Sequence, residues 1–403
     1  MLNVLINAYA IAPNRGSEPG LGWHWVINLA KYCNVFVITE GEWREKIDDS
    51  LAQLPQRNNI HFFYNSVPSR VRKMCWNQGD WRFYFHYHIW QKQALAIARK
   101  ICAEQRIDII HQLNMIGFRE PGLLWMIGGP KHVWGPVGNM GGVPISFLKA
   151  MPMQDRVFYT IKNTISAIQS RIPPVSCAVR RNDIILSSVE NTVKRLKTIY
   201  SKSSILMPET GLTPISSNIH ILPYDRKIEL LWVGRSLPTK MLNLAIESLA
   251  KCRHCNECIL HIVGIEEASV VHSKRSLVNC VWHGKVPHGE VLSIMEEADA
   301  LFFTSIFEGT PHVVLESISM NLPVLCFNTC GQGTIVNDSV GWKVEVKDYK
   351  SAVNDFSAII DSILENRCVI EEKSRACLSR QDELTWEEKI HHVLELYSEC
   401  LKK

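Results

Sequence analysis

Short apolar segments that read as strands alternate along the chain with segments that read as helices. The first series runs from the strand Leu2–Tyr9 through a glycine-rich loop to a helix beginning at Trp23 and the strand Asn34–Thr39. A strand, a helix and another strand in this order form a βαβ unit, which implies a parallel sheet. The same alternation restarts at Ile228–Arg235, so the sequence predicts two α/β domains in succession.

A polar stretch with two prolines separates the two series and sets the expected boundaries. The first domain is expected over residues 1–210, the linker over 211–227 and the second domain over 228–380, with residues 381–403 as a C-terminal helix. A length of 403 residues suits two or three domains of roughly 150 residues each. With two α/β halves joined by a linker, a ligand is expected in the cleft between them.

Composition indicates a globular protein of the cytoplasm. No run of about 18 apolar residues is present, so no helix is expected to span a membrane. The N-terminus lacks a basic region followed by an apolar core, so no signal peptide is expected. The 13 cysteines are scattered and odd in number, which favours reduced thiols.

Positive charge is concentrated in the first half of the chain. Pro68–Arg181 contains sixteen Lys and Arg but five Asp and Glu, a net of +11, so the rest of the chain carries −7 of the total +4. Within it lie the aromatic segment Trp76–Trp90 and an apolar stripe at helical spacing, made of Phe158, Ile161, Ile165, Ile168 and Ile172. An amphipathic helix in cationic surroundings favours peripheral contact with an anionic membrane. The alternative is that both apolar stripes face the core. The glycine-rich loop and the paired glutamates argue against a nucleic-acid partner.

One stretch of the second series, Phe302–Gly331, reads as strand, tight turn, helix and strand. Glu308 lies at a Gly-Thr-Pro turn and Glu316 two helical turns further on. Free N–H groups at the start of a helix favour an anion such as a phosphate. A carboxylate beside a phosphate site suits the hydroxyl groups of a sugar or ribose. The alternative is an ordinary turn with two solvated glutamates.

Two cations and one histidine are further candidates. Arg235 follows a strand and Lys240 lies near the start of a helix, where the pair could neutralise a diphosphate. The alternative is a solvated pair. His111 is placed at the end of an apolar strand, where it would contact a substrate hydroxyl or, alternatively, be a hydrogen-bonded core residue. Gly16, Gly20 and Gly22 allow a backbone to approach a ligand, or form a plain connecting loop.

No cofactor and no metal ion are expected. Cys252, His254, Cys255 and Cys258 offer four ligand side chains within seven residues. Structural zinc usually takes paired ligands from two separated segments, so one crowded segment is a poor site.

Taken together, these motifs resemble those of the GT-B glycosyltransferases of the large retaining family 4, the glycosyl transferases group 1. Glu308-Gly-Thr-Pro followed by Glu316 is similar to the E-x7-E signature of that family, and Gly234–Lys240 to its Arg and Lys diphosphate clamp. The N-terminal loop, Ile109–Asn114 and Val133–Gly142 resemble a subgroup that acts in bacterial surface-polysaccharide assembly.

The resemblance implies an α/β GT-B fold: two Rossmann-like domains facing a central cleft, with the C-terminal helix crossing back to the N-terminal domain. The N-terminal domain would bind the acceptor and the C-terminal domain the nucleotide sugar. The roles it implies for single residues are donor-diphosphate binding by Arg235, Lys240, Gly20, Gly22, Gly309 and Thr310, donor sugar and ribose binding by Glu308 and Glu316, and a catalytic place near the reacting sugar for Glu308 and His111.

The implied activity is retaining transfer of a hexosyl group from a nucleoside-diphosphate sugar to a saccharide acceptor. The acceptor is expected to be lipid-linked, in O-antigen, capsule or exopolysaccharide biosynthesis at the inner face of the plasma membrane. One alternative is a nucleotide-sugar epimerase or phosphorylase on the same scaffold, since fold does not fix chemistry. Another is a non-catalytic assembly partner.

Overall fold

The computed structural model describes residues 1–77, 80–269 and 278–402. The chain forms two compact units, each built from separated segments. The first unit comprises Met1–Gly141, Ile165–Thr210 and Trp386–Lys403, and the second unit comprises Gly142–Thr164 and Gly211–Thr385.

A seven-stranded parallel sheet forms the centre of the first unit, in the order β3-β2-β1-β4-β5-β6-β7. Its strands are β1 (Leu2–Ala8), β2 (Cys33–Thr39), β3 (Ile60–Tyr64), β4 (Ile109–Asn114), β5 (Lys131–Val137), β6 (Ile184–Ser187) and β7 (Ile205–Leu206). Buried residues occupy both faces of β1 and β4, because helices cover a parallel sheet on both sides.

The second unit contains a six-stranded parallel sheet in the order β10-β9-β8-β11-β12-β13. Its strands are β8 (Ile228–Val233), β9 (Cys258–Val263), β10 (Asn279–Gly284), β11 (Ala300–Phe303), β12 (Val324–Phe327) and β13 (Gly341–Val344). Both sheets therefore have the doubly wound order, in which the strand order reverses beside the first strand of the sheet.

Helices connect the strands throughout the described ranges. The α-helices are α1 (Ser17–Leu29), α2 (Arg44–Ala52), α3 (Ser69–Trp76), α4 (Arg82–Glu104), α5 (Ile145–Leu148), α6 (Met153–Gln169), α7 (Val175–Arg181), α8 (Glu190–Tyr200), α9 (Leu242–Lys251), α10 (His288–Glu297), α11 (His312–Ser319), α12 (Cys330–Ile335), α13 (Tyr349–Glu365), α14 (Cys368–Leu384) and α15 (Trp386–Lys402). Single 3-10 turns cover Arg57–Asn59, Leu124–Met126, Pro238–Lys240, Cys255–Glu257 and Glu267–Ser269.

The segment 142–164 belongs to the second unit, whereas the sequence placed it in the first domain. Phe147, Leu148, Met151 and Tyr159 are buried and join the core of the second unit. This segment therefore belongs to the second unit because its apolar side chains pack there, although it lies between strands of the first sheet in sequence. Helix α6 begins within this segment, and from Ile165 onward its residues belong to the first unit.

The C-terminal helix begins at Trp386 instead of residue 381, after α14 has ended at Leu384. Trp386, Ile390, Val393 and Tyr397 are buried in the core of the first unit, which explains the assignment of α15 to that unit. The expected linker 211–227 has no helix or strand, and its Leu212 and Leu222 are buried in the second unit.

Candidate functional site

The order of the second sheet reverses between β8 and β11, and two loops follow these neighbouring strands. One is the loop 234–241 and the other is the loop 304–311. Open α/β sheets bind ligands outside the carboxyl ends of the strands at such a reversal. Five predicted site residues lie in these two loops: Arg235, Lys240, Glu308, Gly309 and Thr310.

Hydrogen bonds tie the two loops together. The Thr304 hydroxyl accepts a hydrogen bond from Trp232 Nε1 at 2.9 Å and lies 2.8 Å from the carbonyl oxygen of Lys240. The amide of Ile306 donates to the carbonyl oxygen of Thr239 at 3.0 Å. Because Thr304 and Trp232 are buried, these bonds fix the position of one loop relative to the other.

Lys240 and Glu308 form an ion pair at the centre of this site. Lys240 Nζ lies 2.5 Å from Glu308 Oε1, and the side chains are 16% and 19% exposed. The Ser305 hydroxyl donates to the same Glu308 oxygen at 2.5 Å. Lys240 Nζ also lies 5.2 Å from the centre of the Phe303 ring. The structure thus brings a cation and a carboxylate, predicted separately from two motifs, into direct contact at low exposure.

The turn that carries Glu308 packs closely against the start of α12. The amide of Gly331 donates to the carbonyl oxygen of Gly309 at 2.9 Å, and the amide of Glu308 donates to Cys330 Sγ at 3.3 Å. A Cβ atom on Gly331 would lie 2.1 Å from the Gly309 oxygen, so only glycine allows this approach.

Sequence reasoning did not identify the α12 residues as part of the site. Gln332 is fully buried, and its Nε2 donates to the carbonyl oxygen of Ser305 at 2.8 Å. The glycines on either side of Gln332, at positions 331 and 333, were the signal in the sequence that a close backbone approach occurs here.

Glu316 lies inside α11, as the spacing predicts, and has a histidine partner. Its Oε1 lies 2.9 Å from Nε2 of His288, the exposed first residue of α10. His312 opens α11, and burial lowers its pKa while the Glu316 charge acts in the opposite direction. Sequence reasoning did not identify His288 as part of the site.

Arg235 is exposed and follows β8 by two residues. A cavity of about 780 Å³ adjoins the same loop within the second unit. Ser236, Leu237, Asn243 and Glu247 are among the residues that line it, whereas Lys240 and Glu308 are not. The ion pair and this cavity are therefore separate features on one loop.

Gly20 and Gly22 lie inside α1, not in the glycine-rich loop where the sequence placed them. The helix begins at Ser17 because Glu18 and Pro19 both suit a first turn: an acidic side chain is favourable there and a missing N–H costs nothing. A Cβ atom on Gly20 would lie 1.8 Å from the Arg15 oxygen. On Gly22 it would lie 2.8 Å from the oxygen of Ala10. Both glycines thus allow the loop after β1 to touch the helix, and their contact with a donor phosphate stays a prediction.

His111 is a buried core residue in the middle of β4, not at the end of a strand. Its Nδ1 lies 2.6 Å from the Tyr397 hydroxyl and its Nε2 lies 2.6 Å from the Gly135 carbonyl oxygen. Burial lowers its pKa to about 4, with the Gly135 hydrogen bond acting in the opposite direction. The prediction that His111 contacts substrate does not fit this burial, whereas the alternative of a hydrogen-bonded core histidine does.

Within the three described ranges, no group of three His, Cys, Asp or Glu side chains is arranged to hold a metal ion. In the same ranges, no helix combines the length and the apolar character needed to cross a bilayer.

Comparison with known proteins finds similarity in the second half of the chain and in the fold as a whole. Residues 219–381 match the family model described as Glycosyl transferases group 1. Among curated protein sequences, none matches the chain significantly.

Several solved structures share the fold over nearly the whole length. Anabaena Alr3699/HepE in complex with UDP is 12% identical, with a TM-score of 0.58 over 99% of this chain and 100% of that chain. The lipopolysaccharide outer core galactosyltransferase WaaB in its apo form is 12% identical, with a TM-score of 0.61 over 98% and 99%. WaaG, a glycosyltransferase involved in lipopolysaccharide biosynthesis, is 16% identical, with a TM-score of 0.54 over 98% and 99%. The chain thus has the α/β GT-B fold with two Rossmann-like domains, as the sequence predicts.

Proposed function

We propose that this protein is a retaining glycosyltransferase that moves a hexosyl group from a nucleoside-diphosphate sugar to a saccharide acceptor. The observation that carries the proposal is the Lys240–Glu308 contact of 2.5 Å at the reversal of the second sheet. The family match over residues 219–381 and the glycosyltransferases among the structural neighbours support it.

The chemistry assigned to the site is neutralisation of a leaving diphosphate. As the bond between the sugar and the diphosphate breaks, negative charge grows on the diphosphate oxygens. Lys240 and Arg235 would stabilise that charge, because cations fixed in advance act most strongly where charge develops in the transition state. Glu308 would contact the donor sugar and Glu316 the ribose hydroxyls. Retention places the acceptor on the face of the sugar from which the diphosphate departs.

The acceptor is proposed to be linked to a lipid, and the protein to lie at the inner face of the plasma membrane in the assembly of a surface polysaccharide. Exposure of the predicted apolar stripe supports this. Phe158, Ile161, Ile165, Ile168 and Ile172 are between 47% and 57% exposed. Lys149 and Arg156 border an apolar groove of about 390 Å³ along the start of the same stripe. The alternative that both apolar stripes face the core is therefore wrong for this stripe, whereas Phe83, Tyr87 and Trp90 of the aromatic segment are buried in a core of the first unit.

The site proposal is tested by sugar transfer with two variants of the ion pair. Glu308→Gln keeps the size of the side chain, and Lys240→Ala removes the cation. Each should lower turnover by about 10²-fold or more, the size expected for one lost electrostatic stabiliser. Lys347→Ala is the matched control, since Lys347 lies in an exposed ion pair with Asp355 at 3.5 Å.

Binding is measured first, by the shift in melting temperature with a panel of nucleotide sugars, because a ligand of the folded state raises Tm. Near wild-type transfer by Lys240→Ala would remove this assignment of roles. A sugar product formed without a saccharide acceptor would indicate an epimerase or, where inorganic phosphate is required, a phosphorylase. If no nucleotide sugar shifts Tm, the remaining interpretation is a non-catalytic assembly partner.

A further inference from the structure

Three arginines of the first unit surround the last turn of α6. Arg195 Nη2 donates a hydrogen bond to the Ser170 hydroxyl at 3.4 Å. Arg171 directly follows Ser170 in the chain. The hydroxyl of Tyr200 donates to the carbonyl oxygen of Ser170. Tyr200 packs with α7, whose last turn carries Arg180. Burial raises the pKa of Tyr200, while the nearby charges of Arg180 and Arg171 lower it, so the three cations lie around this side chain.

This arginine cluster has no acidic partner within the described residues, where Arg171, Arg180 and Arg195 take part in no ion pair. Burial lowers the pKa of Arg195, and the charge of Arg171 adds to that effect. The Arg195 Nε atom is buried and has no hydrogen-bond acceptor in the described structure. A buried donor without a partner is costly, as are like charges held together, so the cluster is suited to an anion.

The end of helix α6 and the residues that follow it present different surfaces on two sides next to this cluster. Ser166 and Ser170, one turn apart, are buried, and each accepts a hydrogen bond from an arginine: Ser166 from Arg119 at 2.5 Å and Ser170 from Arg195. On the other side, Ile165, Ile168 and Ile172 are 48%, 55% and 47% exposed. The arginine cluster therefore borders an exposed apolar surface within the first unit.

We infer that Arg171, Arg180 and Arg195 bind the phosphate group of an anionic phospholipid while the neighbouring isoleucines enter the apolar part of the bilayer. The inference rests on the proposed attachment to the membrane and names the group that would be recognised. Arginine suits phosphate because its planar guanidinium can donate two parallel hydrogen bonds to two phosphate oxygens. A cluster beside exposed apolar side chains also places the phosphate at the depth of lipid headgroups.

The test is sedimentation with vesicles of matched surface charge, in which the anion is either phosphatidylglycerol or a fatty-acid carboxylate in neutral phosphatidylcholine. The wild-type protein should bind the phosphatidylglycerol vesicles several-fold more tightly. The double variant Arg171→Gln/Arg180→Gln, which alters two exposed side chains, should lose that preference. Each charge lost near the surface should also weaken binding by roughly fivefold.

Arg99→Gln/Lys100→Gln is the matched control, because it removes two charges from exposed residues of α4. It should keep the preference for phosphatidylglycerol. Equal binding to both kinds of vesicle by the wild-type protein, or an unchanged preference in the double variant, would overturn the inference. A third outcome is that inorganic phosphate stabilises the wild-type protein but not the double variant, while neither kind of vesicle is preferred. This outcome would assign the cluster to a free phosphate and overturn the proposed binding of a phospholipid. If the wild-type protein binds no vesicle at all, both this inference and the proposed membrane attachment are wrong. The proposed sugar transfer is tested separately, with a soluble acceptor.

Discussion

The imidazole of His111 is held inside the first unit between the Tyr397 hydroxyl and the Gly135 carbonyl oxygen. Its pKa is lowered from 6.5 to about 4 by burial. As pH falls below 6.5, the unfolded chain takes up the proton first, so the free energy of unfolding decreases between pH 6.5 and pH 4. Above pH 6.5 both states are neutral and the effect vanishes. At pH 4 the loss amounts to about 3 kcal/mol.

The variant His111→Gln should reduce this acid sensitivity. Urea denaturation at pH 7 and pH 4.5 measures the difference in the free energy of unfolding, and the decrease should be smaller in the variant by about 2 kcal/mol. His392→Gln, in an exposed position of α15, is the control and should leave the decrease unchanged because the buried imidazole of His111 is still present. An equal decrease in wild type and His111→Gln would contradict the buried assignment.

Sequence reasoning placed Lys240 and Glu308 each at a strand-to-helix turn, and the two residues come into contact because such turns meet where a parallel sheet reverses its order. It placed His111 at the end of the strand, but the strand continues through the polar residue Gln112 to Asn114, so His111 lies within it. The partner that fixes its ring, Tyr397, is 286 residues away, and no local pattern reports such a contact.

Helix α1 shows why the boundaries of elements are harder to predict than their existence. Three glycines and two prolines suggested a loop up to Trp23, yet Pro19 lies in the first turn, where proline is tolerated. Glycine is required at positions 20 and 22 because the preceding loop passes close to that side of the helix. Contact with that loop therefore outweighs the low helix propensity of glycine.

The variant Gly20→Ala should destabilise the protein strongly, because its Cβ would lie 1.8 Å from the Arg15 carbonyl oxygen and the backbone would have to move. We expect a loss of about 2 kcal/mol or more in the free energy of unfolding, measured by urea denaturation. Gly16→Ala is the matched control, since nothing lies within 4 Å of its Cβ and its φ is −80°. It should cost about 1 kcal/mol or less, the range for a change at an N-cap. Equal stability of the two variants would show that the loop is not packed as described.

Across the whole molecule, both parallel sheets could be predicted from alternating strands and helices, and the C-terminal helix joins the first unit, as the family resemblance implied. The membership of the segment 142–164 in the second unit could not be predicted. The segment 142–164 packs in the second unit although it lies between strands of the first sheet in sequence, and helix α15 completes the first unit from far along the chain. Their apolar side chains, such as Phe147 and Tyr397, determine the unit in which they pack. Periodicity shows that a helix has an apolar side but not which core receives it.

Helix α15 should therefore be required for the first unit to fold. It buries Trp386, Ile390, Val393 and Tyr397. At about 1.5–3 kcal/mol each, these four side chains contribute roughly 6–12 kcal/mol, similar to the whole stability of a typical domain.

The test of this requirement is a pair of fragments. A fragment of residues 1–210 should show no cooperative unfolding by circular dichroism, and the same fragment joined through a flexible linker to residues 381–403 should regain it. Replacing Ile390 and Val393 by Asp in the joined fragment is the matched control and should abolish the gain. Cooperative unfolding of residues 1–210 alone, at the midpoint of the joined fragment, would show that α15 is dispensable for that core.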